Sequence, residues 1–270
     1  FSLFITCFSE GKVMNNSLKD KVVVVTGASE GIGYAIVDCY LEEGAKIVIL
    51  LDINETVGKK STQTFTKKYG ENKAVFMKCD VTKDLEDTSK NIFDTYKKVD
   101  VLVNNAGIVN EKALRKVVEL NCISLMEWSM KFWEHMRKDK GGHGGTIINV
   151  ASIYGYTVDP YLVIYKTTKF AAMGFTRTLG HPENFKRYGV RVIALCPGFT
   201  TTTLTSKQLC WDEQVPDFDH YVAKQQWQTI DEVGKASVEM FKVAESGSAW
   251  KIVGAVLAEI RLVKEGEHQR

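Results

Sequence analysis

Six times between Lys21 and Gly198 the chain runs through consecutive Val, Ile and Leu residues with little polar alternation. The runs are KVVVVTG (21–27), AKIVILLD (45–52), KAVFMKCD (73–80), VDVLVNNAG (99–107), GTIINVAS (145–152) and GVRVIALCPG (189–198), and AWKIVG (249–254) is a later seventh. A strand with one face in water alternates polar and apolar residues. A strand that is apolar at successive positions must be covered on both faces, as in a parallel sheet. Stretches 31–43, 54–70, 84–98, 111–138 and 160–180 separate the runs and are long enough for helices. Such alternation predicts an α/β fold with a doubly wound sheet of about seven parallel strands and helices on both faces.

Composition fits that plan. The chain has 270 residues, 44% of them hydrophobic and only four of them Pro, and it contains no low-complexity linker. One domain over 15–270 is expected, with a cofactor half at about 15–150 and a catalytic and substrate half at about 151–270. A net charge of +2 argues against nucleic acid or an anionic membrane as partner. The six Cys show no CxxC spacing and no accompanying His cluster, so they read as free thiols in a reducing compartment, and no metal is expected. The apolar run in residues 1–14 is far shorter than the ~20 residues of a membrane span. It also lacks the features of a secretory signal. It is expected to be a disordered extension of a cytoplasmic protein.

TGASEGIG (26–33) follows the first run and opens the first helical stretch. Gly27, Gly31 and Gly33, with Ser29 and Ile32 between them, suit a tight turn whose N–H groups approach a pyrophosphate at a helix start. This placement predicts a Rossmann-like nucleotide site. Asp52 ends the second run nineteen residues after Gly33, where an acid accepts hydrogen bonds from ribose hydroxyls. Asp52 and Glu30 would both repel a 2′-phosphate, which predicts NAD rather than NADP. Ile53, Asp80, Val81, Asn104, Ala106 and Gly107 follow at the ends of successive runs and are expected beside the same cofactor.

The chemical group is expected after the fifth run. Ser152 ends it, and Tyr165 and Lys169 lie four residues apart on one helix face. Oxidising an alcohol requires a group that takes the hydroxyl proton. A free Tyr, with a pKa near 10, is too weak a base at neutral pH. A nearby ammonium and a cationic nicotinamide would both favour phenolate. Ser152 would hold the substrate oxygen. Asn121, within the long fourth helical stretch, either places a water leading from Lys169 or bonds neighbouring backbone. Residues 199–245 have weak periodicity and follow a strand end, which predicts a mobile substrate cover. Tyr154, Tyr156, Leu162, Phe199, Leu204, Trp211 and Phe218 are candidates to line an apolar pocket, with Ser152 and Tyr165 facing the substrate.

TGASEGIG, NNAG (104–107), Asn121, Ser152, Y-x-x-x-K and PGFTTT (197–202), in this order and spacing, resemble the short-chain dehydrogenase/reductase family over nearly all of 20–255. The resemblance implies an NAD(P)-dependent oxidoreductase with a Ser152–Tyr165–Lys169–Asn121 tetrad. Tyr165 would be the acid/base, and Lys169 would lower its pKa and hold the nicotinamide ribose. Pro197, Phe199, Thr200 and Thr202 would lie toward the nicotinamide. Relatives form homodimers or homotetramers through the long fourth and fifth helices, here about 111–138 and 160–180.

Within the family, NNAGIVNEK and GGHGGTIINVASIYG resemble 15-hydroxyprostaglandin dehydrogenases. FWEHMRKDKGG and GSAWKIVGAVLAEI resemble insect alcohol dehydrogenases. Leu162 stands where the prostaglandin-type enzymes carry Gln, which removes a polar substrate anchor. Gly180 and Pro182 fall where relatives continue a helix, so that helix should end early. The expected reaction is oxidation of an apolar secondary or allylic alcohol by NAD. Carbonyl reduction in the reverse direction and 15-hydroxyprostaglandin oxidation are the neighbouring readings. A nucleotide-binding scaffold without turnover is the remote one, since all four tetrad residues are present.

Overall fold

The structure is a computed structural model and describes residues 16–205 and 210–261. The expected extension at 1–14, and Cys7 with it, lie outside the described residues. Strands β1 (Val22–Thr26), β2 (Ile47–Asp52), β3 (Ala74–Lys78), β4 (Val101–Asn104), β5 (Gly145–Val150), β6 (Val190–Pro197) and β7 (Ala249–Val253) match the seven apolar runs. β8 (Val256–Glu259) makes an eighth strand, and the sheet order is β3-β2-β1-β4-β5-β6-β7-β8. β1 to β7 pair in parallel, and β8 turns back antiparallel on β7. Gly254 and Ala255 join that hairpin with φ of 53° and 64°. Two successive positive φ values give a turn whose twist matches the paired strands.

Both faces of the sheet are covered, as the unbroken apolar runs require. Val23 and Val25 of β1 pack on one side with Ile36, Val37 and Tyr40 of α1 (Gly31–Glu42) and Met240 and Phe241 of α9 (Ile230–Val243). Val22 and Val24 face the other side, toward Ile92 of α3 (Leu85–Tyr96) and Trp128, Phe132 and Met136 of α5 (Ser124–Met136). α2 (Glu55–Tyr69) adds Phe65 to the first side.

The stretch expected as one helix over 111–138 divides. α4 (Leu114–Val118) passes through a π-helical turn at Glu119–Ile123 into α5. α6 (Val163–Leu179) ends at Gly180, and Pro182 then opens a separate helix, α7 (Pro182–Tyr188). His181 caps α7, its Nδ1 accepting from the Glu183 N–H at 3.3 Å. Proline at the first helical position loses nothing, since that N–H has no intrahelical partner.

The cover expected over 199–245 needs correction. Its last part is α9, a core helix with a reciprocal Thr229–Glu232 cap. Among the described residues of that stretch, residues 202–205 and Phe218 of α8 (Val215–Ala223) lie over the open end of the sheet.

The strand order reverses between β1 and β4. A crevice opens there at the carboxyl ends of the strands, the usual place for ligands in such sheets.

Candidate active site

The crevice is a cavity of about 440 Å³ that runs from the Gly-rich turn to the start of α6. At one end, Gly27 and Gly31 adopt φ of 60° and 61°, a region costly for residues with a Cβ. Glu30 gives the start of α1 no side-chain cap, which leaves the first-turn N–H groups open for an acceptor. Gly33 lies beneath the turn. A Cβ there would sit 2.2 Å from the Gly27 carbonyl oxygen.

Asp52 joins the turn to β2. Its Oδ2 accepts from the Ser29 N–H and its Oδ1 from the Asn54 N–H, both at 2.9 Å. Asn105 fastens the turn from the other side, its Nδ2 donating to the Thr26 and Gly27 carbonyls at 3.0 and 2.9 Å. Asp80 lines the cavity, and the Thr82 hydroxyl on its Oδ1 holds its carboxyl below the usual range.

At the other end, Ser152, Tyr165 and Lys169 share the cavity wall. Ser152 sits just after β5 and Tyr165 in the first turn of α6. The Ser152 hydroxyl reaches the phenol and favours its ionised form, but burial outweighs that contact and pushes Tyr165 up to about 12. Lys169 is 4% exposed, and burial lowers it to about 8. Its Nζ donates to the Val150 carbonyl at 2.9 Å and stands 5.5 Å from the Tyr165 ring centroid. Protein groups by themselves therefore do not bring the phenol toward neutrality. For each group, removal from water is the largest influence and favours its neutral form.

The region 21–213 matches the family model for short chain dehydrogenases. The chain belongs to the short-chain dehydrogenases. It is 37% identical over 186 residues to rat 15-hydroxyprostaglandin dehydrogenase [NAD(+)], covering 68% of this chain and 70% of the relative. It is 31% identical over 191 residues to alcohol dehydrogenase 1 of Ceratitis cosyra, covering 70% and 73%. The crystal structure of levodione reductase has the same fold, with a TM-score of 0.75 at 23% identity over 87% of this chain and 97% of that one. This short-chain dehydrogenase is accordingly an oxidoreductase.

Of the other residues singled out from sequence, Ile32, Ile53, Val81, Ala106, Gly107, Pro197, Phe199, Thr200, Thr202, Tyr154, Leu162 and Leu204 also line the cavity. Five do not. Ser29 is buried and meets the site through its backbone N–H on Asp52. Gly33 lies behind the turn, as described. Asn104 points into the sheet, its Nδ2 donating to Ser129 Oγ at 2.8 Å and Asn149 Oδ1 at 2.9 Å. Trp211 of the cover donates its indole N–H to the Glu111 carbonyl at 3.2 Å. Asn121, 1% exposed, spends its side chain on Ile108, accepting from its N–H and donating to its carbonyl, both at 2.8 Å. Tyr156 packs with Ala172 and Met173 of α6 instead of lining the pocket.

Sequence reasoning read the Asn side chains of NNAG as ties for loop backbone, which Asn105 is, but it assigned Asn104 rather than Asn105 to the cofactor wall. It also passed over Val109 and Ile153, which line the short-chain dehydrogenase cavity but carry no chemical signal in sequence. Aromatic rings close the pocket. Tyr154 meets Tyr165 and Phe199 edge-on at 6.4 and 5.9 Å, and Tyr161 meets Phe218 at 5.3 Å. The charged groups behind them are mutually engaged. Lys166 pairs with Asp159, and the Tyr221 hydroxyl donates to that same carboxylate at 3.2 Å. Of the six cysteines, the described ones, Cys39, Cys79, Cys122, Cys196 and Cys210, are free thiols. Among the described residues no helix is long and apolar enough to cross a membrane.

Proposed function

We propose that this short-chain dehydrogenase oxidises an apolar secondary or allylic alcohol with NAD. The observation that carries the reading is one cavity joining Gly27, Gly31 and Asp52 at one end to Ser152, Tyr165 and Lys169 at the other. The residues fit a dinucleotide. The uncapped start of α1 offers N–H groups to a pyrophosphate. Asp52 turns a carboxylate, not a cation, toward the ribose position, which supports NAD over NADP.

These residues would hold an oxidised nicotinamide coenzyme, which would supply the hydride acceptor and a positive charge near the phenol. Tyr165 takes the proton of the substrate hydroxyl, Ser152 hydrogen-bonds that same oxygen, and Lys169 holds the ribose and returns the proton toward solvent. Asn121 serves by fixing the Ile108 backbone beneath this path. Tyr154, Leu162, Phe199, Leu204 and Phe218 receive the apolar part of the substrate. The relative that acts on 15-hydroxyprostaglandin keeps that substrate as a second reading. Carbonyl reduction is the same chemistry run backwards.

The proposal extends to assembly and place. Leu114, Ile123, Met130, Val163 and Phe170 are exposed apolar residues along α4, α5 and α6, which supports a homodimer or homotetramer through those helices. The free thiols support a reducing, cytoplasmic setting. A panel of terpene, steroid, prostanoid and short aliphatic alcohols with NAD, read at the reduced-coenzyme absorbance, tests the function. Turnover of a bulky apolar alcohol is expected, and no turnover by any of them would overturn it.

A further inference from the structure

The first turn of α6 lacks a cap of its own. The residue before it, Leu162, has no side-chain acceptor, and its backbone turns into the left-handed region with φ of 54°. That turn buries the Leu162 side chain to 2% exposure on the cavity wall. A helix start normally receives an oxygen from its preceding residue on the second and third N–H groups. Here those groups belong to Ile164 and Tyr165. Both are taken by one carboxylate from far away in sequence. Glu111 Oε2 accepts from the Ile164 N–H at 2.9 Å and Oε1 from the Tyr165 N–H at 3.0 Å. Glu111 is 5% exposed. Its loop is itself fixed, with the Lys112 N–H on Asn110 Oδ1 at 3.0 Å and the Trp211 indole on the Glu111 carbonyl at 3.2 Å.

We propose that Glu111 is a positioning residue: its carboxylate stands in for the missing cap and fixes the backbone from which Tyr165 projects. Leu162 is thereby free to face substrate. Because Trp211 belongs to the cover, the same residue links the seating of the cover to the placement of the phenol. The inference rests on the reading of Tyr165 as the acid/base.

The test measures amide hydrogen exchange, coenzyme affinity and turnover in the full chain for Glu111→Ala and Glu111→Gln. Gln keeps the volume and one acceptor oxygen. Glu111→Ala is expected to lose roughly tenfold protection or more at the Ile164 and Tyr165 amides, with β1 unchanged. Its kcat should fall roughly 30- to 100-fold, since a reacting group misplaced by about 1 Å costs about that much, while the Kd for NAD stays within about threefold. Glu111→Gln should fall between wild type and Ala in both readouts. Unchanged protection at those amides, protection lost in β1 as well, or local protection lost without a fall in kcat would each overturn the proposal. A wild-type chain without dehydrogenase turnover would instead overturn the function, and the exchange data would still report on the cap.

Discussion

The Lys169 ammonium stands 5.5 Å from the Tyr165 ring centroid, yet its hydrogen bond goes to the Val150 carbonyl. The two groups share a helix face and a dry pocket. Burial moves them in opposite directions, Lys169 down to about 8 and Tyr165 up to about 12. Both shifts favour neutral forms. In the proposed reaction, the positive charge of an oxidised nicotinamide would oppose that effect at the phenol.

These shifts make stability depend on pH in a defined sense. Unfolded Lys169 keeps its proton up to its ordinary value of 10.5, whereas the folded chain releases it near 8. Between those values the unfolded state binds more protons, so stability rises with pH. Tyr165 acts later and with opposite sign, costing stability from its ordinary 10 up to about 12. Urea unfolding of wild type and Lys169→Met between pH 7.5 and 10 checks the first effect. Wild type should gain ~2–3 kcal/mol relative to the variant. A difference that stays flat with pH would contradict the buried-ammonium account.

The proposed preference for NAD rests on Asp52. Its two oxygens hold the Ser29 and Asn54 N–H groups and leave a carboxylate on the cavity wall. Wild type should favour NAD over NADP in kcat/KM by roughly 100-fold, about 3 kcal/mol. Asp52→Ala should narrow the ratio while lowering NAD use, because the Gly-rich turn loses its tie. An NADP preference in wild type would reverse the assignment.

The glycines differ in what they require. Gly33→Ala would put a Cβ 2.2 Å from Gly27 oxygen and 2.6 Å from Asn105 Nδ2. It should destabilise by ~1–3 kcal/mol and weaken NAD binding. Gly174→Ala, in mid-helix with open space around its Cβ, should stabilise by ~0.5–1 kcal/mol. Thermal unfolding and NAD titration of both variants decide. Equal effects would mean that the turn tolerates a side chain.

The sheet was legible because a strand covered on both faces has to be apolar throughout, and all seven such runs became strands. β8 was not, since its turn relies on Ala255 at positive φ, which the residue name does not announce. The chemistry-bearing residues were legible wherever the motif itself touches the cavity, as with Ser152, Tyr165 and Asp52. Asn104 and Asn105 are adjacent and identical in sequence. Only the alternation of β4 decides that the first braces the sheet and the second holds the turn. Glu111 was illegible as a cap, because 53 residues separate it from Ile164. Tertiary structure brings those two together, and no local pattern records it.

The central claim is that the Tyr165 hydroxyl moves the proton. The most direct measurement pairs NAD titration with steady-state turnover in Tyr165→Phe, which keeps the ring and its packing. Coenzyme affinity within about threefold of wild type and a fall in kcat of roughly a thousandfold are expected, since a positioned acid/base contributes ~10²–10⁴. Turnover within about tenfold of wild type, with NAD still bound, would contradict the account.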